Sequence, residues 1–351
     1  MRTAPFIALI LVGAIASAPA RSELVIGGYP PNGGSHWIRQ FAANAQDPAT
    51  PIREISGAAT TISDSSSASY ESVEGLVYVS DFYGSAIRVF DAFASGNVAP
   101  LRVINPPSLG QARANVPIPI HDELIVIGSN CCLFTYPLHG DGNAVPQLRQ
   151  IFWGGGGGPT QLNNPSGLVW LPDSDELAVV DYDISPPYAA KIVFHARTAS
   201  GAATPTRVLK GANTANAAGL AHDPVQHRLY VLTFSTNDGG LTYDGQVRVF
   251  ADSAANDDAP LATIEGPATQ LGFDSGQYPS GLGIDADLQR IMVGYAANGN
   301  PATNRVISFD LAATGNATPV QVLSGTSLSP NTIGTPFAIP LATIFANGFD
   351  N

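Results

Sequence analysis

Six copies of one short pattern run through this 351-residue chain. In each copy an aromatic residue is followed by a turn of small residues and then, ten positions later (eleven in one copy), by a proline. The aromatic residues that begin the copies are Phe41, Phe90, Tyr136, Phe194, Phe250 and Phe309. A pattern that returns at nearly constant spacing indicates a chain of equivalent units, each of which packs against the next.

An apolar segment that is typical of a β-strand precedes each copy. These segments begin near residues 24, 76, 124, 177, 229 and 291. Another short strand comes before several of them, as in "SGLVWLPDSDE", "AGLAHDPVQHR" and "SGLGIDADLQR". The unit is therefore strand, polar turn, strand, variable loop, strand, small-residue turn, proline and strand. Four strands in a repeat of about 40 to 50 residues predict one blade of a β-propeller.

The two ends of the chain predict how the ring closes. The first copy, from Leu24, has no inner strand before it, whereas a spare strand in "TPFAIPLATIFANGFDN" follows the sixth copy. We therefore predict an all-β, six-bladed propeller of four-stranded antiparallel blades, in which the C-terminal strand joins the N-terminal blade and leaves no open edge. Residues 21–351 would form this single domain, and five or seven blades are the alternatives.

Within each unit, the residue types fit their expected positions. The second strand is continuously apolar, which predicts burial on both faces. The glycine and asparagine of "SGN", "DGN" and "TGN" suit a turn with positive φ. The proline suits the start of an outermost strand, where a missing N–H is tolerated. The repeated aromatic residues are interpreted as packing groups rather than as ligands.

Two blades carry a family resemblance. "SGLGIDADLQRIMVGY" and "AGLAHDPVQHRLYVLT" resemble the NHL-type repeat, which has a glycine, an apolar residue, an aspartate, a polar turn and an apolar strand. The resemblance covers most of residues 22–345 and implies a scaffold shared by bacterial secreted propellers, regucalcin-like lactonases and amidating lyases.

The N-terminus and the net charge limit the location and the partners. Residues 1–20 combine a basic Arg2, a short apolar run and A-x-A sites, which predicts a signal peptide and a secreted or periplasmic protein. The apolar run is too short to span a membrane comfortably, and no later segment reads as a membrane helix. A formal net charge of −12 argues against binding to nucleic acid.

The long loops are expected on one face of the ring, which we call the upper face. It carries the loops between second and third strands and the connections between blades; the other face is the lower face. Propeller ligands usually bind at the upper face, around the axis. The expected ligand-binding residues there are Asn115, Asn164, Asn216, Tyr278, Cys131 and Cys132. For the asparagines and the tyrosine, capping and turning the chain is the alternative role and the favoured one. The adjacent cysteines would form either a strained vicinal disulfide, which could support a ring-shaped ligand, or two free thiols.

Five aspartates at or after the second strands are the candidate metal ligands. They are Asp81, Asp181, Asp183, Asp238 and Asp244. Calcium is the ion that such oxygens would suit, if loops of separate blades converge, and no other cofactor is predicted. Solvated or turn-bonding aspartates are the alternative.

Two functions follow from this reading. The first is an exported, non-catalytic propeller that binds a carbohydrate, a peptide or an envelope protein on its upper face. The second is a metal-dependent, lactonase-like hydrolase or lyase, as the scaffold resemblance implies. Fold alone does not choose between the two functions.

Overall fold

A computed structural model describes residues 22–29, 36–65, 67–128, 131–155, 157–183, 189–236, 238–297, 300–328 and 332–340. The predicted signal peptide, residues 1–20, lies outside the described residues. Within the described ranges, no helix has the length and apolar character needed to cross a membrane.

The strands form six antiparallel sheets, which are the blades of a propeller. Blade 1 contains β1 (Glu23–Tyr29), β2 (Trp37–Ala42) and β3 (Arg53–Ser56). Blade 2 contains β4 (Ser67–Glu71), β5 (Leu76–Asp81), β6 (Ala86–Asp91) and β7 (Arg102–Ile104). Blade 3 contains β8 (Ala114–Ile118), β9 (Glu123–Gly128), β10 (Cys132–Pro137) and β11 (Arg149–Ile151).

The second half of the chain repeats the arrangement. Blade 4 contains β12 (Pro165–Leu171), β13 (Glu176–Tyr182), β14 (Ala190–Ala196) and β15 (Arg207–Leu209). Blade 5 contains β16 (Gly219–Asp223), β17 (Arg228–Ser235), β18 (Thr242–Ala251), β19 (Ala262–Ile264) and β20 (Phe273–Asp274). Blade 6 contains β21 (Gln277–Asp285), β22 (Arg290–Ala297), β23 (Arg305–Asp310) and β24 (Gln321–Ser324). The last strands are β25 (Thr332–Ile333) and β26 (Phe337–Ile339), and short 3-10 helices span Ala58–Thr60, Pro119–His121, Pro267–Thr269, Pro301–Thr303 and Gly325–Ser327.

The C-terminal strands close the ring as the sequence predicted. β25 and β26 both pair with β1 and so supply the inner strand that blade 1 lacks. Gly28 is opposite Ile333, and Val25 is opposite Phe337, in an antiparallel register. The first and the last part of the chain therefore share one blade, and neither leaves an open sheet edge beside the other.

The hydrophobic core lies between the blades. Each of the six clusters of buried apolar residues found in the described residues joins two neighbouring blades. In β5, Val77 and Val79 pack toward blade 1, whereas Leu76 and Tyr78 pack toward blade 3. This two-sided packing is the reason that the second strands are continuously apolar. The six repeated aromatic residues are at most 1% exposed, which confirms that they are packing groups.

The small-residue turns of the second to sixth copies each link a blade to the blade before it. Gly142 donates its N–H to Val103 O at 2.7 Å and accepts from Asn105 N at 3.1 Å, across the boundary between blades 3 and 2. Its φ of +78° is the left-handed conformation that glycine adopts at little cost. Equivalent bridges join Ile55 to Gly96, Ile151 to Gly201, Leu209 to Asn256 and Ile264 to Gly315. The sequence predicted the positive φ but not this link between blades.

Side chains join blade 6 to blade 1. Gln321 donates from Nε2 to Ala45 O at 2.7 Å, and Ala49 N donates to Ser327 Oγ at 2.8 Å. Arg39 adds a hydrogen bond from Nη1 to Ser327 O at 3.2 Å. The boundary between blades 6 and 1 is therefore linked by side chains, whereas the other boundaries are linked by the backbone bridges described above.

A buried carboxylate joins blades 3 and 4. Glu123 pairs with Arg149 at 2.5 Å and with Arg197 at 2.7 Å. Burial raises the pKa of Glu123, but the hydrogen bonds from Arg149 and Arg197 outweigh burial and hold the pKa below its usual value. The ionised Glu123 is therefore part of the folded state at neutral pH.

Candidate binding site at the upper mouth

The connections differ in length at the two faces of the ring. In blades 2 to 6 the turn between the first and second strands has four residues, and it lies on the lower face together with the ten- or eleven-residue connection between the third and fourth strands. On the upper face, the connections that lead into blades 2 to 5 have nine to thirteen residues. The expected asymmetry is therefore present only next to the axis, where the upper connections between blades are longer than the lower turns between first and second strands.

The inner strands of all six blades line an axial cavity of about 850 Å³. Small residues are frequent in its wall, and the lining includes Ala68, Ala114, Gly167, Ala218, Gly219, Ala221, Gly281, Gly283 and Gly334. Crowding at the axis explains this choice, since a Cβ added to Gly219 would lie 3.3 Å from the Cα of Gly281 in the next blade. Small side chains leave the centre of the ring open.

A half-buried arginine lies at the upper mouth of the cavity. Arg113 immediately precedes β8 and lines the cavity together with Phe82 and Tyr83 of the loop between β5 and β6. Its Nη1 donates to Asn164 Oδ1 at 3.1 Å, and its guanidinium carbon lies 5.9 Å from the centre of the Phe82 ring. Burial lowers the pKa of Arg113. Because its described partners are an amide and an aromatic ring, neither of them neutralises its charge.

The aromatic pair beside Arg113 offers an apolar surface. The rings of Phe82 and Tyr83 meet edge to face with their centres 5.2 Å apart, and Tyr83 is 71% exposed. An exposed tyrosine next to an arginine is a composition enriched in protein interfaces.

Asp81 holds the loop that carries these two rings. It is completely buried and pairs with Arg88 at 2.6 Å. Its Oδ1 accepts the N–H groups of Gly84 and Ser63, both at 3.1 Å. These contacts tie the loop of residues 82–85 to the connection between blades 1 and 2.

Asp181 has the equivalent position in blade 4. It is also completely buried, and its Oδ1 accepts from Asn163 N at 2.8 Å and from Asn164 N at 2.9 Å. Lys191 Nζ lies 3.2 Å from its Oδ2, as Arg88 lies beside Asp81. Burial raises the pKa of Asp181, although these N–H groups and Lys191 oppose the shift. Asp181 thereby fixes the backbone of Asn164, which in turn contacts Arg113.

Of the remaining predicted metal ligands, Asp183 and Asp238 also have partners in their own blades. Asp183 pairs with Lys191 and accepts from Asn163 Nδ2 at 3.1 Å. Asp238 is fully exposed, and hydrogen bonds from Thr242 hold the pKa of Asp238 well below its usual range. Asp244 is an exposed residue of β18. The structure brings Asp181 and Asp183 together at Lys191 but places Asp81 in blade 2 and the other two aspartates in blade 5.

The predicted ring of polar residues is brought together only in part. Asn115 and Tyr278 line the cavity, each as the second residue of its inner strand, whereas the described lining includes neither Asn164 nor Asn216. Asn115 donates from Nδ2 to Tyr78 O at 3.1 Å and to Ser80 Oγ at 2.9 Å. These bonds link the inner strand of blade 3 to blade 2.

Asn164 and Asn216 lie farther from the axis. Asn164 directly precedes β12 and supports Arg113, as described above. Asn216 is exposed and donates from Nδ2 to Phe234 O at 2.8 Å, which fixes the connection before β16. Asn216 therefore holds its own connection rather than facing the cavity.

The adjacent cysteines form a disulfide. The Cα atoms of Cys131 and Cys132 lie 3.7 Å apart, at the junction of the upper loop of blade 3 and β10. Cys132 is buried with Phe134 and Leu109, and the partly exposed Cys131 packs against the same cluster. The vicinal disulfide is therefore partly exposed at Cys131 and anchored in the core by Cys132. Its role in binding a ligand stays a prediction.

Sequence reasoning missed the residues at the mouth. Arg113, Phe82 and Tyr83 belong to no repeated position, and they meet only because loops of blades 2 and 3 converge at the axis. The available signal was the aromatic pair directly after Asp81, in a loop already expected on the upper face.

Comparisons with known proteins support the fold alone. No known protein-family profile matches the chain, and no curated protein matches it. The nidogen propeller in the crystal structure of a nidogen/laminin complex is similar, with a TM-score of 0.59 over 90% of this chain and 98% of that chain. The sequence identity is 15%, so the likeness establishes a shared six-bladed architecture and no family.

Proposed function

We propose that this protein is an exported propeller that binds a protein partner through its upper face, with an acidic segment of the partner at the upper mouth. The observation that carries the proposal is Arg113, whose charge faces the axial cavity and has an amide and a ring as its described partners. A half-buried guanidinium has lost part of its hydration, and a carboxylate beside it would compensate that loss by a charge-assisted hydrogen bond.

The surface around Arg113 favours a polypeptide. Phe82 and Tyr83 offer apolar area, and Tyr278 lines the wall of the same cavity. Arginine and tyrosine supply most of the binding energy in many protein interfaces. A neutral sugar would use the aromatic rings but would leave the charge of Arg113 uncompensated, so an acidic peptide is preferred over a carbohydrate.

Two weaker lines support the same reading. A propeller of this architecture has been solved in a complex of nidogen with laminin, which is consistent with a propeller face that docks onto protein. The N-terminal pattern of residues 1–20 supports export to an extracytoplasmic space, where an envelope protein would be the partner. We also propose that the chain is related to the NHL-type and regucalcin-like propellers, as the repeat pattern suggests.

No specific observation favours the lactonase-like alternative. Within the described lining of the axial cavity, Asp64 is the single carboxylate. A metal-dependent hydrolase needs several convergent ligands and a base at one place.

A panel of peptides tests the proposal. Fluorescein-labelled peptides of equal length, carrying either glutamate, glutamine or lysine around one tyrosine, would be titrated with the mature protein and followed by fluorescence anisotropy. We expect the glutamate peptide to bind most tightly, to weaken with added salt, and to lose at least tenfold in affinity with Arg113→Gln.

Arg248→Gln is the matched control, because it removes one arginine whose described partners are Ala212, Asn213 and Gln246 rather than cavity residues. Equal affinities for the three peptides, or an equal loss in both variants, would reject the upper mouth as an acidic-peptide site.

A further inference from the structure

Three side chains of blades 4 and 5 converge on the lower face. His227 Nδ1 lies 3.0 Å from Asp173 Oδ2 and 3.4 Å from Asp252 Oδ2. Among the described residues, this is the one group of three His, Cys, Asp or Glu side chains whose potential ligand atoms all lie within 4.8 Å of one another. The three residues come from two lower turns and from the end of β18, which the ring geometry places side by side.

A similar cluster in blades 2 and 3 provides an internal comparison. His139 follows β10, and its Nδ1 lies 2.6 Å from Asp122 while its Nε2 lies 2.7 Å from Glu74. Each carboxylate thus has its own ring nitrogen, and hydrogen bonds from Glu74 and Asp122 raise the pKa of His139. A protonated imidazole, with one N–H for each carboxylate, fully explains that arrangement.

The cluster at His227 differs in the one feature that matters for a cation. Both carboxylates approach the same nitrogen, Nδ1, which has a single position for a proton. One N–H cannot point well at two oxygens, and the two carboxylate oxygens, which lie within 4.8 Å of each other, repel unless a positive charge lies near both. A cation between the three atoms satisfies all of them at once.

The distances suit a small divalent ion. Ligands at about 2.0 to 2.1 Å from a tetrahedral zinc ion lie about 3.3 to 3.4 Å from one another. The two measured separations from His227 Nδ1, 3.0 and 3.4 Å, bracket that spacing. On the axial side, the buried His222 places Nε2 at 3.5 Å from the same oxygen of Asp252 and holds that carboxylate.

We propose that Asp173, His227 and Asp252 form a binding site on the lower face for a zinc-type divalent transition-metal ion. One nitrogen and two carboxylate oxygens favour such an ion over calcium, which prefers six to eight oxygens. Asp173 and His227 are 60% and 61% exposed, so the ion enters from solvent and water completes its coordination. The site is separate from the upper mouth and does not depend on the function proposed there.

The test is metal binding by the tag-free mature protein. After treatment with a chelator, the protein would be titrated with Zn²⁺ and, separately, with Ca²⁺ by isothermal titration calorimetry. We expect one Zn²⁺ per chain and no comparable calcium binding. His227→Gln and Asp173→Asn should each weaken zinc binding at least tenfold.

A variant in the comparison cluster makes the result specific. His139→Gln removes an exposed histidine that also lies between two carboxylates, and we expect it to bind zinc as the parent protein does. Circular dichroism of metal-free His227→Gln would establish that it folds, which its exposed position favours. No zinc binding by the folded parent protein, or an equal loss in His139→Gln and His227→Gln, would overturn the site.

Discussion

The inter-blade turn gives the sharpest test of the fold, through Gly142→Ala. Gly142 has φ of +78°, and a Cβ added there meets no heavy atom within 4 Å. The substitution therefore costs only the backbone penalty of a side chain in the left-handed region, about 1–2 kcal/mol. No collision is added to this penalty.

The expected change in melting temperature follows from the size of the domain. At about 2 cal/mol/K per residue, a propeller of roughly 320 residues has an unfolding entropy near 0.7 kcal/mol/K. Gly142→Ala should therefore lower the midpoint by about 1.5–3 °C in differential scanning calorimetry. Gly142→Asn should lower it by less, because asparagine tolerates this conformation, as Asn256 does at the equivalent position with φ of +56°.

Asn256→Gly completes the comparison and should change the midpoint by less than about 1 °C, since the two residues tolerate the same conformation. If Gly142→Ala were as stable as the parent protein, the turn would not require its left-handed residue. A loss well above about 3 kcal/mol would show that the space around Gly142 is filled.

Three further predictions concern packing and charge. Glu123→Gln should destabilise the fold by about 3 kcal/mol in urea unfolding, because Arg149 loses its buried counter-ion and Arg197 keeps only the more exposed Asp175. Since the folded pKa of Glu123 is lowered, this difference should be present above about pH 4.5 and disappear as the pH falls through the folded pKa. Ile339→Ala in the closing strand should lower the free energy of unfolding by about 2–5 kcal/mol, because Ile339 is completely buried. Ile120→Ala, at a site 77% exposed, should change it very little. Equal effects of the two substitutions would argue against closure of the ring by β26. His139 has a raised folded pKa, so its ion pairs stabilise the protein fully below about pH 6.5, while Glu74 and Asp122 are ionised, and fade as the pH rises through the folded value. The free energies of unfolding of His139→Gln and the parent protein should differ most at about pH 5 to 6, by less than about 1 kcal/mol, and converge at higher pH.

The architecture could be predicted because the same packing requirement recurs in every blade. Phe250 and its five equivalents fill the same space in every blade, so one packing requirement leaves six copies in the sequence. The ring closure could also be predicted, since Leu24 arrives without an inner strand and a spare strand follows the sixth copy.

The sites could not be predicted because they depend on convergence between blades. Arg113 and Phe82 are about thirty positions apart, and Asp173 and Asp252 come from different blades. The sequence pattern identifies such residues as polar or aromatic loop positions, but only the ring geometry brings them together.

The same limit explains why the upper-face aspartates were expected to be metal ligands. Asp81 and Asp181 were expected as metal ligands because they end the second strands at the upper face. In the structure each pairs with a cation from the third strand, Arg88 or Lys191, and accepts N–H groups from the connection ahead of its own inner strand. Calcium binding by these two aspartates was the expectation from the sequence; the Ca²⁺ titration described above tests it, and these contacts are a reason to expect no comparable binding.

The measurement that tests the central claim most directly is hydrogen–deuterium exchange of the mature protein with and without the glutamate peptide. If the partner binds at the upper mouth, exchange should slow in residues 81–86 and 105–114, and it should stay unchanged in the four-residue lower turns such as 119–122 and 224–227. Protection confined to the lower turns would contradict the account, because it would place the binding surface on the opposite face of the ring.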